Sequence, residues 1–511
     1  MNDHANAVPN RGIITVCAMV ATLMQALDST IANVALPYIQ GGLAATADQV
    51  TWVLTSYITA AAIMTAPVGF LAARFGRKWL FLVSVGGFTL ASVLCGAAQS
   101  LEQMVLFRLL QGVFGAALVP LSQSAMLDMY PVEQRGQAIA IWGMGVMLGP
   151  ILGPTLGGWL TESWNWRWVF YVNVPFGALA FLGLLVFMPR DEPGERRGFD
   201  WLGFGTLALG IGALQFMLDR GELKAWFGST EIIVEATLAG LGLYLFLVHL
   251  FTAERPFIPP RIFRDRNFVS GLGIMFVVGT ILFATSALMA PWLQTLGDYP
   301  VFTAGLLLAP RGLGTMAAML VAGRIAQRVD PRKVMAFGIG LMAWTLWEMT
   351  GWTPAVSMWT LATVTILQGA ALGFVFIPLN LVAFATLDPG LRTDGTSLIS
   401  LMRNIGGAAG ISALQALVTR NTQVVHSELS RFASPLNRVF ELPAVHHFWD
   451  PATTKGAALL NLEVTRQASI IAYMDDFWLL MALALAMFLL LPLMRRPPGS
   501  AGGGPAHVAM D

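Results

Sequence analysis

The stretch IITVCAMVATLMQALDSTIANVALP, residues 13–37, contains one charged side chain, Asp28, among residues that are mostly apolar. A transmembrane helix needs about 20 such residues in a row, so residues 13–36 of this stretch are predicted to cross a bilayer. Thirteen further apolar runs of spanning length follow, at residues 50–72, 79–98, 103–127, 137–160, 168–188, 201–218, 232–252, 268–290, 303–323, 334–352, 358–386, 395–419 and 475–494. The sequence therefore predicts an all-α polytopic membrane protein with fourteen transmembrane helices.

The composition agrees with a location in the lipid bilayer. Of the 511 residues, 56% are hydrophobic and 12% are charged, whereas a soluble domain carries about 25% charged residues. The net charge is +1. This balance leaves no basic surface of the size that a phosphate backbone requires, so nucleic acid is not an expected partner.

The sequence does not support metal or nucleophile chemistry. Cys17 and Cys95 lie inside apolar runs and most simply act as small buried hydrophobes. The three histidines of the segment 420–474, His426, His446 and His447, lack the Cys-supported spacing of a zinc site, so no metal site is expected. His249, the only histidine in a predicted span, has no evident acidic partner, and no GxxxxGK[ST] loop for ATP occurs. An enzyme is therefore not expected, and neither is any cofactor beyond a proton as coupling ion.

The distribution of Lys and Arg sets the expected orientation. With the N-terminus inside, the cytoplasmic side carries 19 of them and the short external loops carry 3. The positive-inside rule then puts both termini in the cytoplasm. The predicted division is a cytoplasmic tail at 1–12, a six-helix bundle at 13–190, two inserted spans with cytoplasmic linkers at 191–267, a six-helix bundle at 268–494 that includes an external loop at 420–474, and a flexible cytoplasmic tail at 495–511.

Two pairs of similar segments, separated by nearly the same number of residues, indicate an internal duplication. GFLAARFGRK at 69–78 resembles GRIAQRVDPRK at 323–333, and LQG at 110–112 recurs at 367–369. The two six-span bundles are then parallel repeats, as in secondary transporters that move substrate through a midplane site between two halves.

Charged residues inside spans are the first candidates for function, since a charge in the hydrocarbon region costs several kcal/mol. Burial disfavours the ionised form of Asp28, which makes this residue a candidate proton carrier. It is alternatively a structural partner of Arg108 in the fourth span, and both roles are compatible. Glu348, near the outer end of the eleventh span, is either a second protonatable group or an interfacial acid beside the Trp belt.

A second group of residues is expected to line a substrate cavity between the halves. Arg311 is one member. Arg311 and Arg403, the latter not assigned to the cavity, either attract an anionic substrate or pair with acids, and the sequence does not choose between these roles. The other members are polar or aromatic side chains inside spans, each of which has packing between helices as its alternative: Gln25, Asn33, Tyr57, Gln111, Gln123, Trp292, Gln294, Gln368 and Asn380.

Two segments are candidates for conformational gating. Glycines at every fourth position of the fifth span form a smooth helical face, and two prolines allow that helix to bend; static packing is the alternative. The first cytoplasmic turn carries three basic residues that set topology and are able to clamp the end of a neighbouring helix. The gating residues are Gly69, Arg74, Gly76, Arg77 and Lys78 in the turn, with Gly145, Gly149, Pro150, Gly153, Pro154 and Gly157 in the fifth span.

These motifs resemble the major facilitator superfamily, specifically its fourteen-span drug:proton antiporters of the EmrB/QacA type, over nearly the whole chain. The family pattern LDxTIxNVALP is matched at 27–37, RxxQGxxxA at 108–116, and GxxxGPxxGGxL approximately at 145–158, followed by WRWVFYVNVPFG at 166–177. The resemblance implies that Asp28 and Arg108 couple transport to protons. Ala73 stands where the superfamily usually has Asp in the first cytoplasmic turn, which weakens the case for a gate built on that carboxylate.

QFMLDRG at 215–221 and the long loop before the last span resemble the EmrB branch in particular. Members of that branch work with a periplasmic adaptor, EmrA-like in this case, and an outer-membrane channel. The resemblance therefore implies an inner-membrane pump of a Gram-negative envelope, with the loop at 420–474 as a candidate docking segment.

The expected function is export of lipophilic or amphipathic small molecules, by alternating access, in exchange for protons. A dedicated exporter of one metabolite, fatty acid or siderophore would use the same coupling residues and stays open as the alternative. A receptor or scaffold without transport is a third possibility, which dispensability of Asp28 and Arg108 for every flux would favour.

Overall fold

The computed structural model of the protein describes residues 10–190, 198–326, 328–433 and 453–495, together with positions 437, 442 and 449. Every regular element among these residues is helical. The N-terminal half contains α1 (Arg11–Gly42), α2 (Trp52–Thr65), α3 (Val68–Phe75), α4 (Arg77–Ala97), α5 (Leu101–Gly115), α6 (Leu118–Met129), α7 (Val132–Ser163) and α8 (Asn173–Phe187).

Two helices, α9 (Trp201–Arg220) and α10 (Thr230–Thr252), stand between the halves in sequence and pack on each other. The C-terminal half contains α11 (Arg266–Pro291), α12 (Val301–Ile325), α13 (Pro331–Met349), α14 (Met358–Ala383), α15 (Arg392–Ser430) and α16 (Thr454–Ala486). The predicted division started the C-terminal bundle at residue 268, whereas α11 already begins at Arg266. Residues 1–9 and 496–511, in the predicted tails, lie outside the described residues.

Eleven of the described spans are long and apolar enough to cross a membrane, and α2 with α3 makes a twelfth if this pair, bent by 58°, is one span. The bend lies at Ala66-Pro67, where proline removes a backbone donor. Helices α13 and α15 coincide with the two remaining predicted spans and contain more polar residues. The structure is consistent with the prediction of fourteen spans.

The predicted external loop at 420–474 is largely helical, so its boundaries need correction. Helix α15 continues to Ser430 and α16 already begins at Thr454. The two extensions are joined by hydrogen bonds from Asn421 to Asp475 (3.3 Å) and between His426 and Asn461 (3.0 Å). The apolar run predicts only where the membrane-spanning part of a helix ends. Helices α15 and α16 continue beyond that point, because they pack against each other. His446 and His447 lie outside the described residues.

Side-chain caps fix where several helices begin. Asp265 accepts a hydrogen bond from the Phe268 amide at the start of α11 (3.0 Å), and Ser357 accepts one from the Thr360 amide at the start of α14 (3.1 Å). Such caps satisfy the amides that have no partner within the helix.

The glycine face of α7 packs against α1, which holds Asp28. A Cβ atom at Gly149 would lie 2.6 Å from the Ala26 carbonyl carbon, and one at Gly157 would lie 2.9 Å from Ile31. A Cβ atom at Gly153 would collide with Thr30, whose hydroxyl donates to the Gly149 carbonyl (3.2 Å). Only glycine permits this approach. The side chains of Pro150 and Pro154 lie outside the described part of the chain.

The two halves meet at the end of the bundle where Arg11, Arg77, Asp128, Arg392 and Arg495 lie, called the terminal face here; the opposite end is the far face. There the Thr396 hydroxyl of α15 donates to the Pro120 carbonyl of α6 (3.0 Å). Helix α7 also meets α12 closely, since a Cβ atom at Gly136 would lie 3.1 Å from the Gly323 carbonyl oxygen.

Candidate functional site

Asp28 is completely buried, and both oxygens of its carboxylate accept hydrogen bonds from buried side chains. Its Oδ2 accepts from Arg108 Nη1 at 2.7 Å. Its Oδ1 accepts from Gln111 Nε2 at 2.8 Å and from Asn173 Nδ2 at 2.9 Å. The ion pair predicted between α1 and α5 is therefore present, and two amides complete the coordination of the carboxylate.

Arg108 and Gln111 reach Asp28 together because residues three apart share one face of a helix. Arg108 keeps two further acceptors, since Nε donates to the Val53 carbonyl (3.0 Å) and Nη1 also donates to Gln111 Oε1 (2.8 Å). The guanidinium carbon lies 4.5 Å from the ring centre of Tyr57 and 5.5 Å from that of Phe170. Both rings contribute favourable cation–π contacts.

Glycine at position 112 lets α5 approach α2 closely enough to build this site. A Cβ atom there would lie 2.5 Å from the Tyr57 carbonyl oxygen and 2.9 Å from the Ala60 Cβ. The predicted cavity residue Gln25 also reaches this region, because its Nε2 donates to the Tyr57 hydroxyl (3.3 Å).

Asn173 and Ser92 belong to the site although the sequence did not single them out as site residues. Asn173 Nδ2 donates to Ser92 Oγ as well as to Asp28 (2.9 Å each), and Ser92 Oγ donates to the Phe170 carbonyl (2.9 Å). The stretch at 166–177 was noted as typical of the family. The signal in the sequence that could have identified the site was Asn173, a polar residue at the start of an apolar helix.

The arrangement makes the charges of Asp28 and Arg108 depend on each other. A buried ion pair is stable only while both charges have partners, and removal of one charge leaves the other uncompensated. Protonation of Asp28 would neutralise the carboxylate, while Arg108 would still have Val53 and Gln111 as acceptors.

The remaining predicted cavity residues are not all in one place. Gln123 and Asn380 hydrogen-bond to each other across the halves. Gln368 is buried and donates to the Met349 sulfur (3.7 Å), and Trp292 is buried with its ring centre 5.7 Å from that of Trp352. Both side chains therefore pack inside the C-terminal half.

Three other candidates lie away from Asp28. Asn33 and Gln294 are exposed, and Glu348 is only partly buried near the end of α13. A carboxylate buried in the C-terminal half is that of Asp476 on α16, which is 1% exposed and whose Oδ2 lacks a hydrogen-bond partner. Sequence reasoning missed Asp476 because it stands at the edge of an apolar run.

The predicted gate at the first basic turn connects the halves. Asp128 of α6 forms ion pairs with Arg77 of α4 and with Arg392 of α15, the latter at 2.6 Å. Lys78 is buried and donates to the carbonyls of Leu185 (2.8 Å) and Met188 (2.5 Å). Lys78 therefore fixes the end of α8, in the way expected of a basic side chain at a helix C-terminus.

Glycines shape this turn, and a carboxylate from the other half occupies it. Gly76 has a φ of 83°, a conformation that disfavours a side chain. Gly69 lies against Asp394 of α15, so that a Cβ atom there would collide with the carboxylate. Ala73 lies one helical turn after Gly69, and the carboxylates of Asp394 and Asp128 lie against this turn. Arg74 lies over the Phe75 ring (5.7 Å).

The duplicated turn at 323–333 behaves differently. Arg332 pairs with Asp330 (2.9 Å) and donates to the Met494 carbonyl (3.0 Å), contacts within its own half. The two similar turns therefore differ: the first is joined by ion pairs through Asp128 across the interface between the halves, whereas Arg332 in the second holds the segment that follows α16.

His249 does have an acidic partner, contrary to expectation. Its Nε2 lies 2.8 Å from Asp200 Oδ1, and Asp200 also caps α9 by accepting from the Gly203 amide (2.8 Å). This pair connects the ends of α9 and α10. It is a structural link within the inserted helices, because Asp200 is already used as a cap.

Comparison with known proteins gives the family. The model of the Major Facilitator Superfamily matches residues 18–411. The chain belongs to this superfamily. It is 33% identical over 500 residues to the multidrug export protein EmrB of Escherichia coli strain K12, covering 96% of this chain and 97% of that protein. It is also 33% identical over 501 residues to the fatty acid resistance protein FarB of Neisseria gonorrhoeae, with the same two coverages.

The identity to EmrB over nearly the whole chain places the protein in the EmrB branch of the superfamily, a family of membrane transporters. The solved structure of the human organic anion transporter MFSD10 (TETRAN) aligns with a TM-score of 0.59 over 93% of this chain and 100% of that chain. At 15% sequence identity, that similarity shows the fold alone. The expected all-α facilitator fold is thus confirmed, as is a multi-pass membrane protein.

Proposed function

We propose that the protein is a proton-driven multidrug efflux transporter that exports amphipathic small molecules by alternating access, in exchange for protons. The observation that carries this proposal is the completely buried Asp28–Arg108 ion pair in the N-terminal half. Proteins whose names record multidrug export match nearly the whole chain, which supports the transported class.

Packing offers a route from proton binding to movement of the halves. Helix α1, which holds Asp28, packs on the glycine face of α7, and α7 in turn packs on α12 of the other half. A change in the charge of Asp28 would alter the hold of α1 on α5 and shift α7 against α12. Closely packed glycine faces let such helices slide without opening a gap to protons.

The terminal face is proposed to be cytoplasmic, following the excess of Lys and Arg there. The contacts of Asp128 with Arg77 and Arg392 then close the protein toward the cytoplasm in the state described. Opening the cytoplasmic side requires that these partly exposed ion pairs separate, a change that costs little free energy because water replaces the partners.

We place the protein in a bacterial inner membrane as part of a tripartite pump with an EmrA-like periplasmic adaptor and an outer-membrane channel. The paired extensions of α15 and α16 on the far face support this assignment, since they project helical surface where an adaptor would bind. Deleting the extensions is expected to abolish drug resistance in cells while purified protein keeps its transport activity.

Export of a single fatty acid is the alternative function, and the match to FarB favours it over other single substrates. A transport panel distinguishes the two functions. Competition among chemically unrelated compounds supports multidrug export, whereas transport of fatty acids alone supports the alternative.

The direct test is substrate-induced proton movement in proteoliposomes under an imposed pH gradient, with a panel of lipophilic compounds. Asp28→Asn is expected to abolish the proton flux. Asp298→Asn is the matched control, because the Asp298 side chain is 80% exposed on the far face and is expected to leave flux unchanged. Equal flux in the native protein and Asp28→Asn would contradict the proposal.

A further inference from the structure

The C-terminal half contains two arginines whose positive charges have no acidic partner among the described residues. Arg311 on α12 and Arg403 on α15 form no salt bridge, and the Nε atom of each is buried without a hydrogen-bond partner. A guanidinium is always charged and offers five N–H donors. An uncompensated cation in the membrane interior marks a site that a counter-charge or water must complete.

The contacts of Arg311 are all neutral. Its Nη1 donates to the Ser286 hydroxyl (2.9 Å), and its Nη2 donates to the Thr285 hydroxyl (2.9 Å) and weakly to the Leu282 carbonyl (3.4 Å). These α11 groups orient the guanidinium without neutralising it. Arg108 provides the contrast, because Asp28 occupies its Nη1 at 2.7 Å.

Arg403 flanks the same segment of α11. Its backbone carbonyl packs on Gly279, which a Cβ atom would not permit. Gly279 and Thr285 are six residues apart, a rise of about 9 Å along a helix. The two arginines therefore approach neighbouring turns of α11 from the two helices that pack beside it.

The depth of both residues suits a site near the middle of the membrane. Arg311 lies ten residues into α12, about 15 Å from its end, and Arg403 lies eleven residues into α15, about 16 Å from its end. These depths are near the middle of a hydrocarbon core of about 30 Å. Arg403 is two turns after Thr396, which contacts Pro120 of the other half, so both lie on one helix face.

We infer that Arg311 and Arg403 form a binding site for the anionic group of an amphipathic substrate, a carboxylate or sulfonate whose apolar body packs beside Phe283. This inference rests on the proposed transport function and names the substrate class. Phe283, 38% exposed on the same segment of α11 and packed on Gly407, adds apolar surface beside the site. An anionic phospholipid head group presents the same chemistry and is distinguished below.

The test is a calorimetric titration of sodium decanoate into the full-length protein in phosphatidylcholine nanodiscs, with empty nanodiscs subtracted. Arg311→Gln and Arg403→Gln are each expected to raise the Kd for decanoate by about tenfold or more, because a hydrogen-bonded charge is lost. Arg311→Lys keeps the charge and is expected to weaken binding less. Arg420→Gln, on the exposed end of α15, is the matched control and should bind as the native protein does.

Decyltrimethylammonium, which has the same chain and the opposite charge, tests selectivity without any variant. The native protein is expected to bind decanoate more tightly than this cation. Equal or reversed affinities, or folded Gln variants with native decanoate affinity, would overturn the inference. Phosphatidylglycerol in the nanodisc tests for a lipid ligand. If this lipid abolishes decanoate binding by the native protein, and if it competes less with decanoate in Arg311→Gln, then the arginines bind the anionic head group of a lipid.

The titration uses neither a pH gradient nor transport, so its outcome is separate from that of the proposed function. Loss of proton flux in every assay with decanoate binding intact would overturn proton-coupled export alone. Intact Asp28-dependent flux with no effect of either Gln variant on decanoate binding would overturn the anion site alone.

Discussion

The two halves of the protein treat the arginines inside their helices in opposite ways. In the N-terminal half, Arg108 is paired with Asp28 and both carboxylate oxygens are satisfied by side-chain donors. In the C-terminal half, Arg311 and Arg403 are partly buried, and no described residue neutralises their charges. The two halves share a fold and a duplicated motif. With the two proposals above, this difference corresponds to a division of roles, with proton binding in one half and recognition of substrate charge in the other.

Replacing Arg108 or Arg311 by methionine is expected to show the largest difference between the two halves. Arg108→Met leaves Asp28 without its counter-charge and is expected to lower the free energy of unfolding by about 3–5 kcal/mol. Arg311→Met removes a charge that has no ionic partner, so the expected change is within about 1 kcal/mol. Thermal unfolding in detergent measures both.

Equal losses in the two variants would show that Arg108 and Arg311 are equivalent and would contradict the comparison. The double variant Asp28→Asn with Arg108→Met is expected to recover part of the stability, because no buried charge is left alone. It should not recover proton flux.

Packing between α1 and α7 provides a second test. Gly149→Ala places a Cβ atom 2.6 Å from backbone of α1 and is expected to destabilise the protein by about 1–3 kcal/mol through overpacking. Gly158→Ala, one of the next glycines on the same helix, enters open space and serves as the control. Unfolding temperature and proton flux should fall together in Gly149→Ala, and unchanged values would show that α1 does not depend on this contact.

The ion pairs at the terminal face give the smallest expected effect. Asp128→Asn weakens the contacts with Arg77 and Arg392, which are partly exposed and contribute about 1 kcal/mol or less. Labelling of Thr393→Cys by a maleimide should therefore accelerate by at most about fivefold in the Asp128→Asn background. Cys17 and Cys95 are both buried, so their background labelling is low.

Slower labelling, or equal labelling in the Asp128→Asn and native backgrounds, would show that these ion pairs do not hold the halves together. Asp298→Asn on the far face is the control.

Most of the fold could be predicted from the sequence because the bilayer imposes a simple rule. A run of about 20 apolar residues must become a helix, since its backbone groups find no water. The rule says nothing about helix beyond the membrane, and so the ends of α15 and α16 were missed. Their pairing depends on contacts such as that of His426 with Asn461, which no local pattern reveals.

The site was predictable only where a charge stood in an apolar run. Asp28 and Arg108 stand out for that reason, and Gln111 follows from its spacing to Arg108. Asn173 and Ser92 are neutral, so their role depends on tertiary contacts alone. The substitution of Ala73 for an acid suggested a weakened gate, whereas Asp394 lies against the same turn from a helix more than 300 residues away.

The most direct test of the division of roles is proton release on ligand binding, measured in weakly buffered nanodiscs during decanoate titration. The native protein is expected to bind decanoate and release protons. Asp28→Asn should bind decanoate without releasing protons, whereas the double variant Arg311→Gln with Arg403→Gln should lose decanoate binding. Loss of decanoate binding in folded Asp28→Asn, or native proton release from it, would contradict the assignment of the two roles to separate halves.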